Sequence, residues 1–270
     1  MNRDLELPKH RSELVTRICD DLIVDDRILA VFFGGSIGNE TTDIYSDIDV
    51  RIVVKDEDYD SFKLSKRKRA QCWGNVLFFE DVPWTNYSVA HYDTFLKVDS
   101  FYYRKWDLEP SVWLQDIQIV MDSGGFMSEI VEESKKLRYE PSVGEVELLR
   151  SKFLAHSHET YRRVSRGEWN YALSCLNHLR MIVVTAWYMD KGMQPNTLGD
   201  WAKYEGARSL LDQRQLQALA EWDGCRDRDE VMRKVRMMFG EFKTVHQSLC
   251  EKVGMDDEPE MLERVMAMVL

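Results

Sequence analysis

Long hydrophobic runs are scarce in this chain. The longest nearly apolar stretch, Met181–Met189, spans nine residues and includes Thr185, about half of what a membrane-spanning helix requires. The first residues, Met1 to Pro8, carry charges where a signal peptide needs an apolar stretch. Cysteine is sparse too. The five, Cys19, Cys72, Cys175, Cys225 and Cys250, are widely spaced, odd in number and form no CxxC pair. That pattern predicts buried, reduced thiols in a cytoplasmic protein and gives no support to a zinc site. Basic charge is in deficit, with 36 Lys plus Arg against 47 Asp plus Glu. A protein whose main work is gripping a nucleic-acid backbone needs the opposite balance.

What is present is the composition of an ordinary globular protein, 44% apolar and 31% charged over 270 residues. That length allows one large domain or two smaller ones. Charge and texture both change near Pro141. Residues 1–141 hold 18 Lys plus Arg and 27 Asp plus Glu, and residues 142–270 hold 18 and 20. Before Pro141, short runs rich in Val, Ile, Phe and Tyr predict strands at Ile28–Phe33, Ile48–Val54, Asn75–Phe79, Ser88–His91, Val98–Tyr103 and Ile117–Val120. After it the apolar period is that of helices. Leu148, Leu149, Phe153 and Val164 fit one helix, and Ala172, Leu173, Leu176, Leu179 and Val183 a second, buried one. Further helical stretches are expected at 197–204, 213–222, 228–252 and 258–269. The reading is α+β: a mixed-sheet domain over 1–141 followed by an all-helical domain over 142–270.

The chemistry concentrates in Val31–Val54, VFFGGSIGNETTDIYSDIDVRIVV. An apolar strand runs into Gly34, Gly35 and Ser36, and ten residues later a second strand opens with Asp47-Ile48-Asp49. Strand side chains alternate faces, so Asp47, Asp49 and Arg51 share one while Ile48, Val50 and Ile52 enter the core. Two carboxylates at i and i+2 are close enough to share a divalent cation. Mg²⁺ takes oxygen ligands and commonly bridges carboxylates to substrate phosphates. Glycines let the backbone approach a triphosphate, amides at a turn cradle anionic oxygens, and the Ser36 hydroxyl adds a donor.

These residues resemble the signature of the DNA polymerase β-type nucleotidyltransferase superfamily. The resemblance implies that the Gly35-Ser36 turn holds the triphosphate of ATP and that Asp47 and Asp49 ligate Mg²⁺. It also implies a third carboxylate on a neighbouring strand. The matching stretch is Phe95–Tyr103, FLKVDSFYY, which puts Asp99 there as metal ligand or as general base on the acceptor hydroxyl. An antiparallel neighbour strand is expected to deliver it. Farther along, NYALSCLNHLRMIVVTAWYMDKG at 170–192 and LGDWAKY at 198–204 resemble the helical domain of bacterial streptomycin and lincosamide adenylyltransferases. By that likeness Lys203 matches a lysine that contacts the nucleotide phosphates.

The implied activity is transfer of AMP from ATP to a hydroxyl of a small acceptor, of the aminoglycoside type where an acidic surface attracts it. The alternatives are a lincosamide or endogenous small acceptor, or a protein acceptor as in nucleotidyltransferase-type antitoxins. Against the last stands a second domain of ~130 residues. Acceptor-binding candidates in that domain are Glu168, Trp169, Trp187, Tyr188, Asp190, Trp201 and Glu205. Expected partners are thus a nucleoside triphosphate and a small molecule, with no nucleic acid and no membrane, in a monomer or homodimer. Lys66-Arg67-Lys68-Arg69 reads as one solvated helix face. Asp122-Ser123-Gly124-Gly125 reads as the turn between a strand and a helix.

Overall fold

The computed structural model describes residues 3–270. The chain separates into two compact units, Met1–Leu137 and Arg138–Leu270. The first unit opens with α1 (Leu7–Ile23), whose Leu14, Ile18 and Leu22 form a buried stripe at helical spacing. Strand β1 (Ile28–Phe33) runs into a single turn of helix, α2 (Gly35–Gly38), and returns as β2 (Ile48–Val54). Two short helices, α3 (Tyr59–Leu64) and α4 (Lys66–Trp73), lead into a meander of β3 (Val76–Glu80), β4 (Tyr87–Tyr92) and β5 (Lys97–Tyr103). Strand β6 (Gln118–Asp122) and α5 (Phe126–Ser134) complete the unit.

Among the described residues these six strands form one mixed sheet in the order β3-β4-β5-β2-β1-β6. Every neighbouring pair is antiparallel except β2 and β5. The strand beside the Asp-x-Asp segment is therefore parallel to it, contrary to the sequence expectation. Crossing from β2 through α3, α4, β3 and β4 brings the chain back in the same direction. Alternation then sorts the sheet's faces. Val31, Phe33, Ile48, Val50, Ile52, Val98 and Tyr102 pack with α1, α3 and α4, while Ala30, Phe32 and Val53 pack with Leu114, Phe126 and Met127. The Asp122–Gly125 segment is the expected turn: Asp122 accepts from the amides of Met127 (3.2 Å) and Ser128 (2.9 Å), capping α5.

The basic run at 66–69 differs from expectation. Lys66 is buried, lies 2.5 Å from Asp81 and donates to the carbonyls of Val82, Thr85 and Tyr87. Arg69 binds Asp21 and Asp25. The 66, 69, 70 and 73 positions of α4 share a face at i+3/i+4 spacing, and it is this face that packs inward.

The second unit is helical: α6 (Val143–Ser165), α7 (Trp169–Asp190), α8 (Gln213–Glu221), α9 (Arg228–Val253) and α10 (Pro259–Met266). A capping box starts α6, with Ser142 Oγ accepting from the Glu145 amide and the Glu145 carboxylate accepting from the Ser142 amide. Helix α7 is buried on all sides over Met181–Met189, and it joins Phe153, Trp222, Val235, Met238 and Phe242 in one core. The helix expected at 197–204 is absent; the segment is a series of turns. Gly199 at φ 110 and Lys203 at φ 63 break any helical path. Tyr204 is buried there and accepts from the Asn196 amide at 2.8 Å. All five thiols are free, but Cys72 and Cys225 are exposed rather than buried. No helix among the described residues is long and apolar enough to cross a membrane.

Candidate active site

The first unit brings Gly35, Ser36, Asp47, Asp49 and Asp99 to one end of the sheet. Strand β1 hands the chain to the glycine turn, and the Gly34 amide donates to the Asp49 carbonyl at 3.0 Å, extending the β1–β2 ladder past its end. Gly35 has φ +57, and a Cβ built on it would lie 2.1 Å from Asp49 Oδ2. A Cβ on Gly34 would lie 2.0 Å from a guanidinium nitrogen of Arg51. The turn thus presses its bare backbone against two charged side chains of β2, which only glycine permits.

Asp47 precedes β2, and a pinned loop sets its position. Ser46 Oγ donates to Asp43 Oδ1 and accepts from the Asp43 amide. Arg11 of α1 donates to the carbonyls of Asp43 (2.8 Å) and Ser46 (3.1 Å). Asp49 and Asp99 are register partners on the parallel strands β2 and β5, which places their α-carbons about 5 Å apart. Between the carboxylates sits Lys97, whose Nζ is 2.8 Å from Asp47 Oδ2 and 3.0 Å from Asp99 Oδ2.

The electrostatics follow from this crowding. Burial raises the Asp99 carboxyl above the ordinary range; Asp47 and Asp49 push the same way, and Lys97 opposes them. Burial works against the Lys97 charge, but its bonds to Asp47 and Asp99 prevail and hold its pKa above the usual lysine value. Three polar atoms here are buried without a hydrogen-bond partner, Ser36 Oγ, Asp99 Oδ1 and a guanidinium nitrogen of Arg51. Unpaired buried oxygens are costly, and they are the atoms a phosphate and a cation would satisfy.

Lys97, Arg51 and Arg11 are the residues to which the sequence reading gave no role. Lys97 had a signal: it shares the face of Asp99 by alternation. Arg51 packs against Gly34 with its guanidinium 5.1 Å from the Phe101 ring. Arg11 comes from α1, and no sequence spacing links it to the loop it holds.

Lys203 belongs to the second unit, exposed on the 196–204 turns, where its carbonyl accepts from the Tyr188 hydroxyl at 3.3 Å. Of the acceptor candidates in that unit, Trp187 and Tyr188 are core residues. Glu168 pairs with Arg163, and Asp190 binds Lys252 and the Ser248 hydroxyl. Trp169 and Trp201 are partly buried against the same core, and Glu205 is exposed.

The family model for streptomycin adenylyltransferase matches residues 9–269. The chain belongs to the streptomycin adenylyltransferase family. It is accordingly an enzyme, a nucleotidyltransferase. Solved structures similar to this family member include an aminoglycoside 6-adenyltransferase from Bacillus subtilis. That likeness is at 12% identity over 96% of this chain and 95% of the other, with a TM-score of 0.46. A nucleotidyltransferase-like protein from Exiguobacterium sibiricum is similar at 12% identity over 96% and 80% of the two chains, with a TM-score of 0.43. A search of the curated proteins returns no match.

The donor set suits a hard divalent cation, since every candidate ligand is a carboxylate oxygen and one of them, Asp99 Oδ1, is orphaned. As they stand, Asp47 and Asp99 are joined through Lys97. Among the described residues no three His, Cys, Asp or Glu groups are gathered in ligand geometry.

Proposed function

We propose that this nucleotidyltransferase moves AMP from ATP to a hydroxyl of a small cationic acceptor of the aminoglycoside type. The observation that carries the reading is the meeting, within one unit, of the glycine turn, Asp49 and the orphaned oxygens of Ser36 and Asp99. Residues 1–141 are the catalytic domain in this reading, and 142–270 a nucleotide- and substrate-binding domain.

Gly35 and Ser36 offer backbone and hydroxyl donors to the β- and γ-phosphate oxygens. Asp47, Asp49 and Asp99 hold Mg²⁺, which when bound supplies neutralisation of the triphosphate charge. Asp99 accepts the proton of the acceptor hydroxyl. The hydroxyl oxygen then bonds to the α-phosphorus while the bond to pyrophosphate breaks, and the electron pair leaves with pyrophosphate. The acidic balance of residues 1–141, 27 acids against 18 bases, favours an acceptor bearing amino or guanidino groups. ATP as donor implies a cytoplasmic setting.

The test is incubation with α-labelled ATP, Mg²⁺ and a panel of aminoglycosides and lincosamides, followed by pyrophosphate release and label transfer. Release that depends on one aminoglycoside is expected. Release with a lincosamide alone would move the acceptor class, and label on protein with none on any drug would overturn the small-molecule reading.

A further inference from the structure

Asp47 just before β2, Asp49 of β2, and Lys97 and Asp99 of β5 form a square of charged groups. Ile48 pairs with Val98 and Asp49 with Asp99, so positions 47 and 97 stand opposite one another one step earlier. Alternation puts Lys97 on the face of Asp99, and Lys97 Nζ reaches both Asp47 (2.8 Å) and Asp99 (3.0 Å). Three carboxylates so close repel one another, and within the square the ammonium is the counter-charge. An ammonium has three donors and no acceptor, and it binds the carboxylate oxygens that a divalent cation would take.

We propose that Lys97 is the built-in counter-ion of this carboxylate group, a positioning residue that holds Asp47 and Asp99 to one cation point and competes there with a divalent metal. The inference rests on reading Asp47, Asp49 and Asp99 as the metal-binding carboxylates. Its consequence is order. Without nucleotide the chain takes a divalent cation weakly, because the metal must first displace an ammonium. With nucleotide, the long lysine stem carries its charge toward the phosphates, and metal and triphosphate bind together. Such coupling keeps three carboxylates from collecting metal when there is no substrate to act on.

The experiment measures Mn²⁺ binding to the full chain by the electron paramagnetic resonance of free Mn²⁺, without ATP and with ATP against the same Mn²⁺ and ATP lacking the chain. The wild type is compared with Lys97→Met and Lys97→Arg, and circular dichroism verifies that each is folded. Lys97→Met is expected to bind Mn²⁺ without ATP about tenfold more tightly than wild type, since a charge near 3 Å is removed. Lys97→Arg, which keeps the charge, is expected to stay weak. Equal ATP-free affinity in wild type and Lys97→Met, with ATP still enhancing Mn²⁺ binding, would overturn the role of Lys97 and leave the metal reading intact. Tight binding by Lys97→Arg would overturn it as well, because charge would then not be what competes. No Mn²⁺ binding by any of the three, with or without ATP, would overturn the metal reading and the inference together.

Discussion

Gly35 and Asp49 are packed so closely that a Cβ on the glycine would lie 2.1 Å from the Asp49 carboxylate oxygen. The glycine also has φ +57, where a side chain costs about 1–2 kcal/mol. Gly35→Ala is therefore expected to displace Asp49 as well as strain the turn. Because the obstacle is a side-chain end rather than backbone, the carboxylate can move aside and the fold persists. The expected outcome is a fall in kcat/KM of about 100-fold or more, as misplaced reacting groups give. A thermal melt should show a loss of only a few degrees. Activity near wild type would mean that the turn does not approach the substrate phosphates.

Asp99 is separable from Asp47 and Asp49 by substitution. Asn keeps the shape of each side chain but accepts no proton. Asp99→Asn is expected to lower kcat by about 10²–10⁴-fold with KM for ATP little changed, the signature of a lost general base. All three Asn variants lose a metal ligand and should raise the Mg²⁺ concentration needed for half-maximal rate, but at saturating Mg²⁺ Asp99→Asn should keep the larger loss of kcat. A kinetic series in Mg²⁺ for the three variants checks this. Identical behaviour of all three would assign Asp99 to metal binding alone.

Much of this site was legible because its elements are stiff and local. Ile28–Phe33 and Ile48–Val54 are bounded by turn residues, and their alternation fixes which side Asp49 faces, so the strands appear where the apolar runs are. Asp99 was legible by its motif, but the direction of its strand was not. Parallel pairing of β2 with β5 depends on a crossover of four elements, and no single strand sequence encodes it. Lys97 shares a face with Asp99 by alternation, but what it binds shows only when Asp47 is seen opposite. Leu198, Trp201 and Tyr204 mimic helical spacing, yet Gly199 and Lys203 adopt left-handed backbone and Tyr204 is buried by a turn. Periodicity cannot tell a helix from a coil whose apolar residues happen to fall three apart.

Lys66 illustrates a charge that sequence assigns to solvent and the fold assigns to the interior. Its ammonium and the Asp81 carboxylate are each 4% exposed, and Arg67 also binds Asp81. Removing one partner of a buried pair leaves the other uncompensated. Lys66→Met is expected to destabilise the first unit by about 3 kcal/mol, measured by urea denaturation. It also strips donors from the carbonyls of Val82, Thr85 and Tyr87. Asp81→Asn in the same chain should restore part of the loss by removing the uncompensated charge.

Acid sensitivity is expected to centre on Asp25. Its carboxylate accepts from Arg27 at 2.6 Å and from Arg69 at 2.7 Å. The Arg27 hydrogen bond, with Arg69 behind it, holds its pKa well below the usual carboxylate value against the opposing effect of burial. A group whose folded pKa is depressed contributes stability that is fully present above its unfolded pKa of about 4. That contribution declines as pH falls below this value and is gone once the folded pKa is passed. With the Asp25 side chain only 12% exposed, it is worth roughly 1–3 kcal/mol at neutral pH. Asp25→Asn should thus lower stability at pH 7 and flatten its dependence on pH below about 4. Urea denaturation from pH 7 to pH 2 tests both halves. A wild type and a variant whose stabilities stay a fixed distance apart across that range would show that the arginines bind Asp25 without shifting its proton equilibrium. The difference should instead close as the acid is reached, because the protonated Asp25 carboxyl and the amide that replaces it in the variant both present the arginines with a neutral partner.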